Sequence, residues 1–362
     1  MGASVAHTIH AGHRHFGWSR DHAPVATVAP GEAVEFDVID GGGGQITRAS
    51  DAATIGALDF ATLLPLNGPI AVDGARPSDT LKITVLDVTP SGWGWSGVIP
   101  GFGLLAEEFT EPALRHWTYD PSGREPAMFG TIARVPVRPF PGTLGLALAE
   151  PGVHSALPPR RVGGNLDTRD ITVGTELYLP VEVAGALFSV GDTHAAQGDG
   201  ELAGSAIENP MRIAFRFDVV RGLALDGPWF TTPGPVTRHL DGKGYYVTSG
   251  VGPDILPAAR DAVRRMIDVL ARGHGVGALD AYMLCSVCAD LRLSEVVNTP
   301  VSVVSLYFPR VVFDWAEQGA RHERQPSRRG PDPRCASAAG VADRRGHGAA
   351  QRLLHQRGVA RT

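Results

Sequence analysis

Leu81-Lys82-Ile83-Thr84-Val85-Leu86-Asp87-Val88 sets apolar against polar residues in near alternation over the length of a whole strand. Successive side chains on an extended chain point to opposite faces, so this pattern marks a strand with one face in a core and one in water. Working outward, Ile70-Ala71-Val72 reads as another strand, with Gly74-Ala75-Arg76-Pro77-Ser78-Asp79 as a turn between the two. Met211-Arg212-Ile213-Ala214-Phe215-Arg216-Phe217-Asp218-Val219-Val220 alternates more strongly still and predicts a long antiparallel strand. Residues 25–38 read as two short strands about the Pro30-Gly31 turn. Gly174-Thr175-Glu176-Leu177-Tyr178-Leu179-Pro180-Val181 and Gly185-Ala186-Leu187-Phe188-Ser189-Val190 add two more, and residues 301–312 are strand-like again. Residues 91–109, rich in Gly and Trp, read as a loop of the kind that lines a site.

Helical periodicity comes late. Leu256, Ala259, Val263, Met266, Ile267 and Leu270 fall mostly three or four apart, with Gly273 as a stop, and residues 279–288 form a second, more apolar helix. The fold class that follows is mainly β, antiparallel and sandwich-like, with an α+β C-terminal part carrying the two late helices. No GxGxxG that links a strand to a helix and no GxxxxGK[ST] is present, which leaves nucleotide-binding readings without support. Residues 1–312 are expected to form one unit, divisible into closely packed subdomains 1–125 and 126–312.

Composition sets the broad class. The 362 residues are 43% hydrophobic and 20% charged, enough to bury a sizeable core. The 45 glycines and 28 prolines punctuate apolar runs and so suit a turn-rich β fold. A formal net charge of -5 argues against a nucleic-acid surface. No apolar run reaches the length of a membrane span, and the His-rich start has no signal-peptide pattern. Three cysteines cannot all pair within one chain, and a reducing cytoplasm is the expected compartment. After Trp315 periodicity collapses. Ten arginines stand between residues 321 and 362 against Glu323, Asp332 and Asp343, so 313–362 is expected to be a poorly ordered basic tail.

Chemistry concentrates in Gly191-Asp192-Thr193-His194-Ala195-Ala196-Gln197-Gly198-Asp199-Gly200-Glu201. Small residues let backbone approach a ligand, and imidazole with carboxylates suits Zn²⁺ or a similar divalent ion. Asp192 and His194 are two apart and point the same way on an extended chain; Asp199 and Glu201 repeat that spacing. A polar hairpin tip would explain the glycines and acids, but it needs neither His194 nor Gln197. Upstream, Gly163-Gly164-Asn165-Leu166-Asp167 gives a second same-side pair, Asn165 and Asp167, which a loop-to-strand corner would explain equally well. Glu107, Glu108 and His116 are weaker candidates, and the early histidines, His22 among them, read mainly as surface or structural. No serine stands in GxSxG. Cys285 and Cys288 have CxxC spacing inside an apolar helix, which makes them core residues.

These residues carry a resemblance. Gly185-Ala186-Leu187-Phe188 running into Gly191-Asp192-x-His194-x-x-Gln197-Gly198-Asp199-Gly200-Glu201, then Ala206-Ile207-Glu208, is similar to the signature region of the acetamidase/formamidase family. Gly68-Pro69-Ile70 through Gly74-Ala75-x-Pro77-x-Asp79-x-Leu81 resembles its N-terminal strand pair, and Gly163-Gly164-Asn165-Leu166-Asp167 its mid-chain site loop. Val247-Thr248-Ser249-Gly250 and Ala281-Tyr282-x-Leu284 through Asp290-Leu291-Arg292 continue the match, which covers roughly residues 5 to 312. Ser78 departs from it, standing where the family turn usually has glycine. The resemblance implies hydrolysis of short-chain amides such as formamide and acetamide, a β-rich fold, a divalent metal and a homo-oligomer. Its matching positions are Asp192, His194, Asp199 and Glu201, with Asn165 and Asp167 nearby.

Amide hydrolysis needs an activated water, a carboxylate to shuttle a proton and a stabilised oxyanion. His194 and Asp192 are assigned as metal ligands, with Asp167 or Asn165 completing the set. Zn²⁺ is the first choice of ion and Ca²⁺ or Mn²⁺ the others. Glu201 is the expected proton shuttle, and Asp199 either joins the ligands or orients His194. Hydrolysis of another linear C–N bond, and a non-catalytic metal- or ligand-binding β protein, stay open as rivals.

Overall fold

Alternation along Met211–Val220 puts Ile213, Phe215 and Phe217 on one face, and all three are fully buried. A computed structural model describes residues 5–235 and 240–313. In it this strand lies inside a six-stranded sheet ordered Val5–Ile9, Ala33–Val38, Met211–Val220, Thr80–Pro90, Glu176–Pro180, Trp229–Thr231. A second sheet runs Gly163–Asn165, Phe140–Gly145, Phe188–His194, Leu66–Val72, Arg14–His15, with Ala26–Val28 also beside Leu66–Val72. Pairing in both is antiparallel except for Val5–Ile9 with Ala33–Val38 and Ala26–Val28 with Leu66–Val72.

The two sheets share one core. Phe36, Phe215 and Phe217 of the first meet Phe188 of the second, with ring centroids 5.8, 5.4 and 4.9 Å from that of Phe188. The Phe36 and Phe215 rings meet Phe188 edge to face, the arrangement the aromatic quadrupole favours. Leu81, Ile83 and Val85 join from one side and Ile70, Leu144 and Val190 from the other. The fold is mainly β and sandwich-like, as the sequence predicts. Both sheets draw strands from either side of residue 125, the expected border between subdomains.

The late helices, Ile255–His274 and Ala278–Cys288, pack with a three-stranded sheet of Tyr245–Gly252, Ser302–Pro309 and Asp290–Glu295. Gly273 does not stop the first helix. It lies in the last turn, and Gly275 at φ +67° caps the end, because it is the residue that must turn left-handed. The second helix is buried from Ala281 to Cys288, which places Cys285 and Cys288 in the core.

Two further differences bear on the site. Residues 91–109 are not a simple loop, since Trp93–Val98 is a fully buried strand paired with Ala113–Thr118. The strand at Phe188 does not end at Val190 but runs on to His194, into the polar motif. Ser78 adopts φ +77°, a left-handed conformation that glycine enters without strain, which gives a physical reason for glycine at that turn. The expectation for the tail from 313 onward falls, after Phe313, outside the described residues.

Candidate active site

The strand Phe188–His194 lies between Phe140–Gly145, which pairs with it as far as His194, and Leu66–Val72, which pairs with it only as far as Gly191. The short segment after it returns along its end. Ala195 N–H donates to Ile207 O at 2.8 Å and Ile207 N–H to Ala196 O at 2.9 Å. Asn209 clamps the return by donating its backbone N–H and its Nδ2 to the Thr193 carbonyl at 2.9 and 3.0 Å. This pairing brings Glu208, fourteen residues beyond His194 in sequence, beside it in space.

His194 is completely buried, and four acids converge on it. Its Nε2 lies 3.3 Å from Asp192 Oδ1 and 3.3 Å from Glu208 Oε1. Its Nδ1 faces Asp167 Oδ1 at 4.0 Å, and Glu201 completes that side. The Phe140 ring stands edge-on to the imidazole at 5.2 Å, fixing its plane. Asp167, Asp192 and Glu201 all sit at positive φ, +46°, +48° and +42°. A left-handed non-glycine residue costs about 1–2 kcal/mol, and strain repeated at three acids of one cluster is the kind found where function fixes geometry.

Backbone crowds the cluster. A Cβ on Gly41 would stand 2.1 Å from Asp192 Oδ1, and one on Gly142 would stand 2.6 Å from Asp167 Oδ1 and 2.7 Å from His194 Cε1. Asn165 lies one layer out: it accepts from the Thr143 hydroxyl and donates to Asp167 Oδ2 at 2.8 Å, while Gln197 Nε2 holds the Asp167 carbonyl at 2.7 Å. Asp40, also buried, accepts from Trp95 Nε1 at 3.3 Å and from Gly42 N–H at 2.8 Å, which shapes the turn over Asp192.

The electrostatics follow from burial and like charge. Burial, then the neighbouring Glu208, pushes Asp192 up to about 6. Burial, then Asp192, pushes Asp167 up to about 7. Glu201 is driven well up by burial and by Asp167. Burial pulls His194 down, but Glu208 and Asp192 outweigh it and hold its pKa well above the ordinary value. Asp167 Oδ1, His194 Nδ1 and Glu208 Oε2 are buried without a hydrogen-bond partner. Carboxylate and imidazole donors left unpaired in so acidic a cluster fit a divalent cation, held by Asp192, His194 and Glu208 or by Asp167, His194 and Glu201.

Of the residues expected from sequence, Asp167, Asp192, His194 and Glu201 come together and Asn165 supports them. Asp199 does not join: its half-exposed carboxylate lies 3.2 Å from Arg169 Nε, facing the C-terminal layer. Glu108 pairs with Arg264, and His116 bonds the Ser50 carbonyl at 2.8 Å away from the cluster. Glu208 and Asp40 are the residues not assigned a role from sequence. An acid just before the long strand at Met211, and an aspartate heading the run Gly41 to Gly44, were the available signals. Above the cluster opens a cavity of about 490 Å³, with Asn165, Asp192, Glu201 and Glu208 on its floor and mostly apolar walls.

The Acetamidase/Formamidase family matches the chain over residues 4–154 and 147–315. The formamidase of Methylophilus methylotrophus is 27% identical over 374 aligned residues, covering 84% of this chain and 90% of the relative. The acetamidase of Mycolicibacterium smegmatis is 30% identical, covering 75% and 84%. Among solved structures, a gamma lactamase from Delftia acidovorans matches with a TM-score of 0.77 at 24% identity, covering 85% of this chain and 94% of its own. An acetamidase from Bacillus halodurans matches at 0.59 and 29% identity, covering 86% and 99%.

Proposed function

The chain belongs to the acetamidase/formamidase family, and from that premise we propose that it hydrolyses small aliphatic amides to carboxylate and ammonia with the help of a divalent metal ion. The observation that carries this reading is the convergence of Asp167, Asp192, Glu201 and Glu208 on the buried His194 at the floor of a cavity. Asp192, His194 and Glu208 are the first choice as ligands, with Asp167 on the other imidazole nitrogen. Zn²⁺ suits a set with one imidazole, and Mn²⁺ or Ca²⁺ suits its carboxylates. When bound, such an ion lowers the pKa of water and polarises a carbonyl.

The protein's own groups do the rest. Glu201 lies at the floor of the cavity, and burial, then Asp167, raises its pKa well above the ordinary carboxylate value, which makes it a stronger base. It takes a proton from the attacking water as the C–O bond forms and gives it to the amide nitrogen as the C–N bond breaks. Asn165 holds Asp167 in place through its Nδ2. Asp199 is outside this chemistry and ties the site loop to Arg169.

The test is ammonia release from formamide and acetamide. Glu201→Gln is expected to lower kcat by about a hundredfold or more, and near-wild-type turnover would remove the shuttle role. Chelation is expected to abolish activity, with one of Zn²⁺, Mn²⁺ or Ca²⁺ restoring it; turnover indifferent to chelator would rule out the metal. No helix among the described residues is long and apolar enough to cross a membrane. We place the protein in the cytoplasm, without nucleic-acid partners, as a homo-oligomer that mass measurement in solution would detect.

A further inference from the structure

The cavity over the cluster is larger than the reaction's smallest substrates need. Its 490 Å³ equals the liquid volume of about sixteen waters and falls in the range that encloses ligands of drug-like size. Acetamide has four heavy atoms and would leave most of that space wet. The inner wall is Leu58, Leu63, Trp95 and Ile99, part of a small apolar cluster that also packs Ile46 and Ile55. Towards the mouth stand Phe60, Phe102, Val153 and Leu157, all exposed to solvent.

Its polar inventory is equally restrictive. No Lys, Arg or His lines the cavity among the described residues. Apart from the floor, its polar side chains are Ser155 and Ser205, and the Ser205 hydroxyl is already engaged with Gly97, accepting from its N–H at 2.9 Å and donating to its carbonyl at 2.8 Å. A carboxylate at the end of the acyl chain would lie against the apolar walls, away from the floor, with no counter-charge there. A cationic chain would lose its hydration against apolar walls.

We propose that this chamber is an acyl-group pocket and that the enzyme prefers neutral amides with an apolar acyl chain larger than acetyl, of about six to eight carbons. The proposal rests on the amidase reading of the same site. A chain that fills the chamber expels water from apolar wall, which is worth about fourfold in affinity per buried methylene.

The experiment compares kcat/KM for formamide, acetamide, hexanamide, phenylacetamide and succinamate on the full chain, with titration calorimetry of hexanamide alongside. Two variants narrow the chamber from exposed positions where folding tolerates change, Ala61→Trp and Leu157→Trp. Hexanamide and phenylacetamide are expected to exceed acetamide at least tenfold and succinamate to be poor. Each variant is expected to reduce the hexanamide-to-acetamide ratio at least fivefold. If formamide or acetamide is the best substrate, or the ratio ignores both variants, the acyl pocket is overturned while the amidase reading stands. If no amide turns over, the amidase reading fails, and calorimetry decides: hexanamide binding weakened by either variant supports the apolar chamber, and its absence overturns it.

Discussion

At the residue scale, His15 shows how one side chain couples the site strand to pH. Its Nδ1 lies 2.9 Å from the Gly17 carbonyl, which fixes the proton there and leaves Nε2 to accept from the Ser189 hydroxyl at 2.9 Å. Ser189 belongs to the strand that carries Asp192 and His194. Burial, helped by His22 and opposed by the Gly17 carbonyl, lowers the His15 pKa to about 4. The unfolded value is about 6.5. Above that, both states are neutral and the fold keeps its full stability. As pH falls from 6.5 through 4, the unfolded chain takes up a proton that the folded ring refuses, and stability is lost. At pH 5 the loss is about 2 kcal/mol, less for a ring that keeps some solvent. Urea unfolding at pH 7.5 and pH 5 should therefore show a smaller drop in His15→Gln than in wild type, and equal drops would exclude His15 as the group responsible. At this scale the sequence discloses Asp192 with His194 and Asn165 with Asp167 through their spacing. Glu208 stayed without a role because the backbone pairing that seats it joins Trp95, His194 and Glu208 across the chain, a relation that local spacing does not encode.

At the element scale, the helix Ala278–Cys288 is the brace beneath the site loop. Ser286 O accepts from Gly198 N–H at 2.8 Å, and Ser286 Oγ accepts from Ala203 N–H at 3.0 Å and donates to Ser205 O at 2.7 Å. Tyr282 OH donates to Leu202 O and accepts from Leu105 N–H at 2.9 Å. Just past the helix, Asp290 meets Arg169, whose Nη2 donates to it at 2.8 Å, and both side chains are buried. Arg169 lies two residues after Asp167, so this pair anchors the loop that holds the cluster. Deleting Asp290 leaves the buried Arg169 only the half-exposed Asp199 carboxylate and costs about 3 kcal/mol, the low end for breaking a buried pair. Asp290→Ala should lose that much in denaturant unfolding, whereas Arg169→Met with Asp290→Leu should recover most of it; a single variant within 1 kcal/mol of wild type would show the pair to be slack. The helix is legible in sequence as an apolar run, and strands such as Met211–Val220 as alternation. Trp93–Val98 is not, because burial on both faces leaves no alternation to read.

At the scale of the whole molecule, the site is where two cores meet. Phe188 and Val190 belong to the core between the sheets, while Ala195, Ala196, Leu202, Ala203 and Ile207 belong to the core of the C-terminal layer. One segment of chain therefore enters both, and the acids are carried on or beside it. Such an arrangement is hidden from sequence, since Met211 pairs with Val38 and with Pro90 from far along the chain. It predicts that neither layer loosens alone. Leu284 is fully buried in the C-terminal core, remote in sequence from every strand of the sandwich. Leu284→Ala leaves a cavity and should cost about 2–5 kcal/mol. Hydrogen exchange read by mass spectrometry should then show the slowest amides of Met211–Val220 and of Ser302–Pro309 losing protection by the same amount, because both open only in global unfolding. Protection lost in Ser302–Pro309 while Met211–Val220 keeps its own would show two layers that unfold separately. In that case the floor of the site would owe its order to the sandwich, and Leu284→Ala would loosen Leu202 and Ala203 while leaving Asp192 and His194 in place.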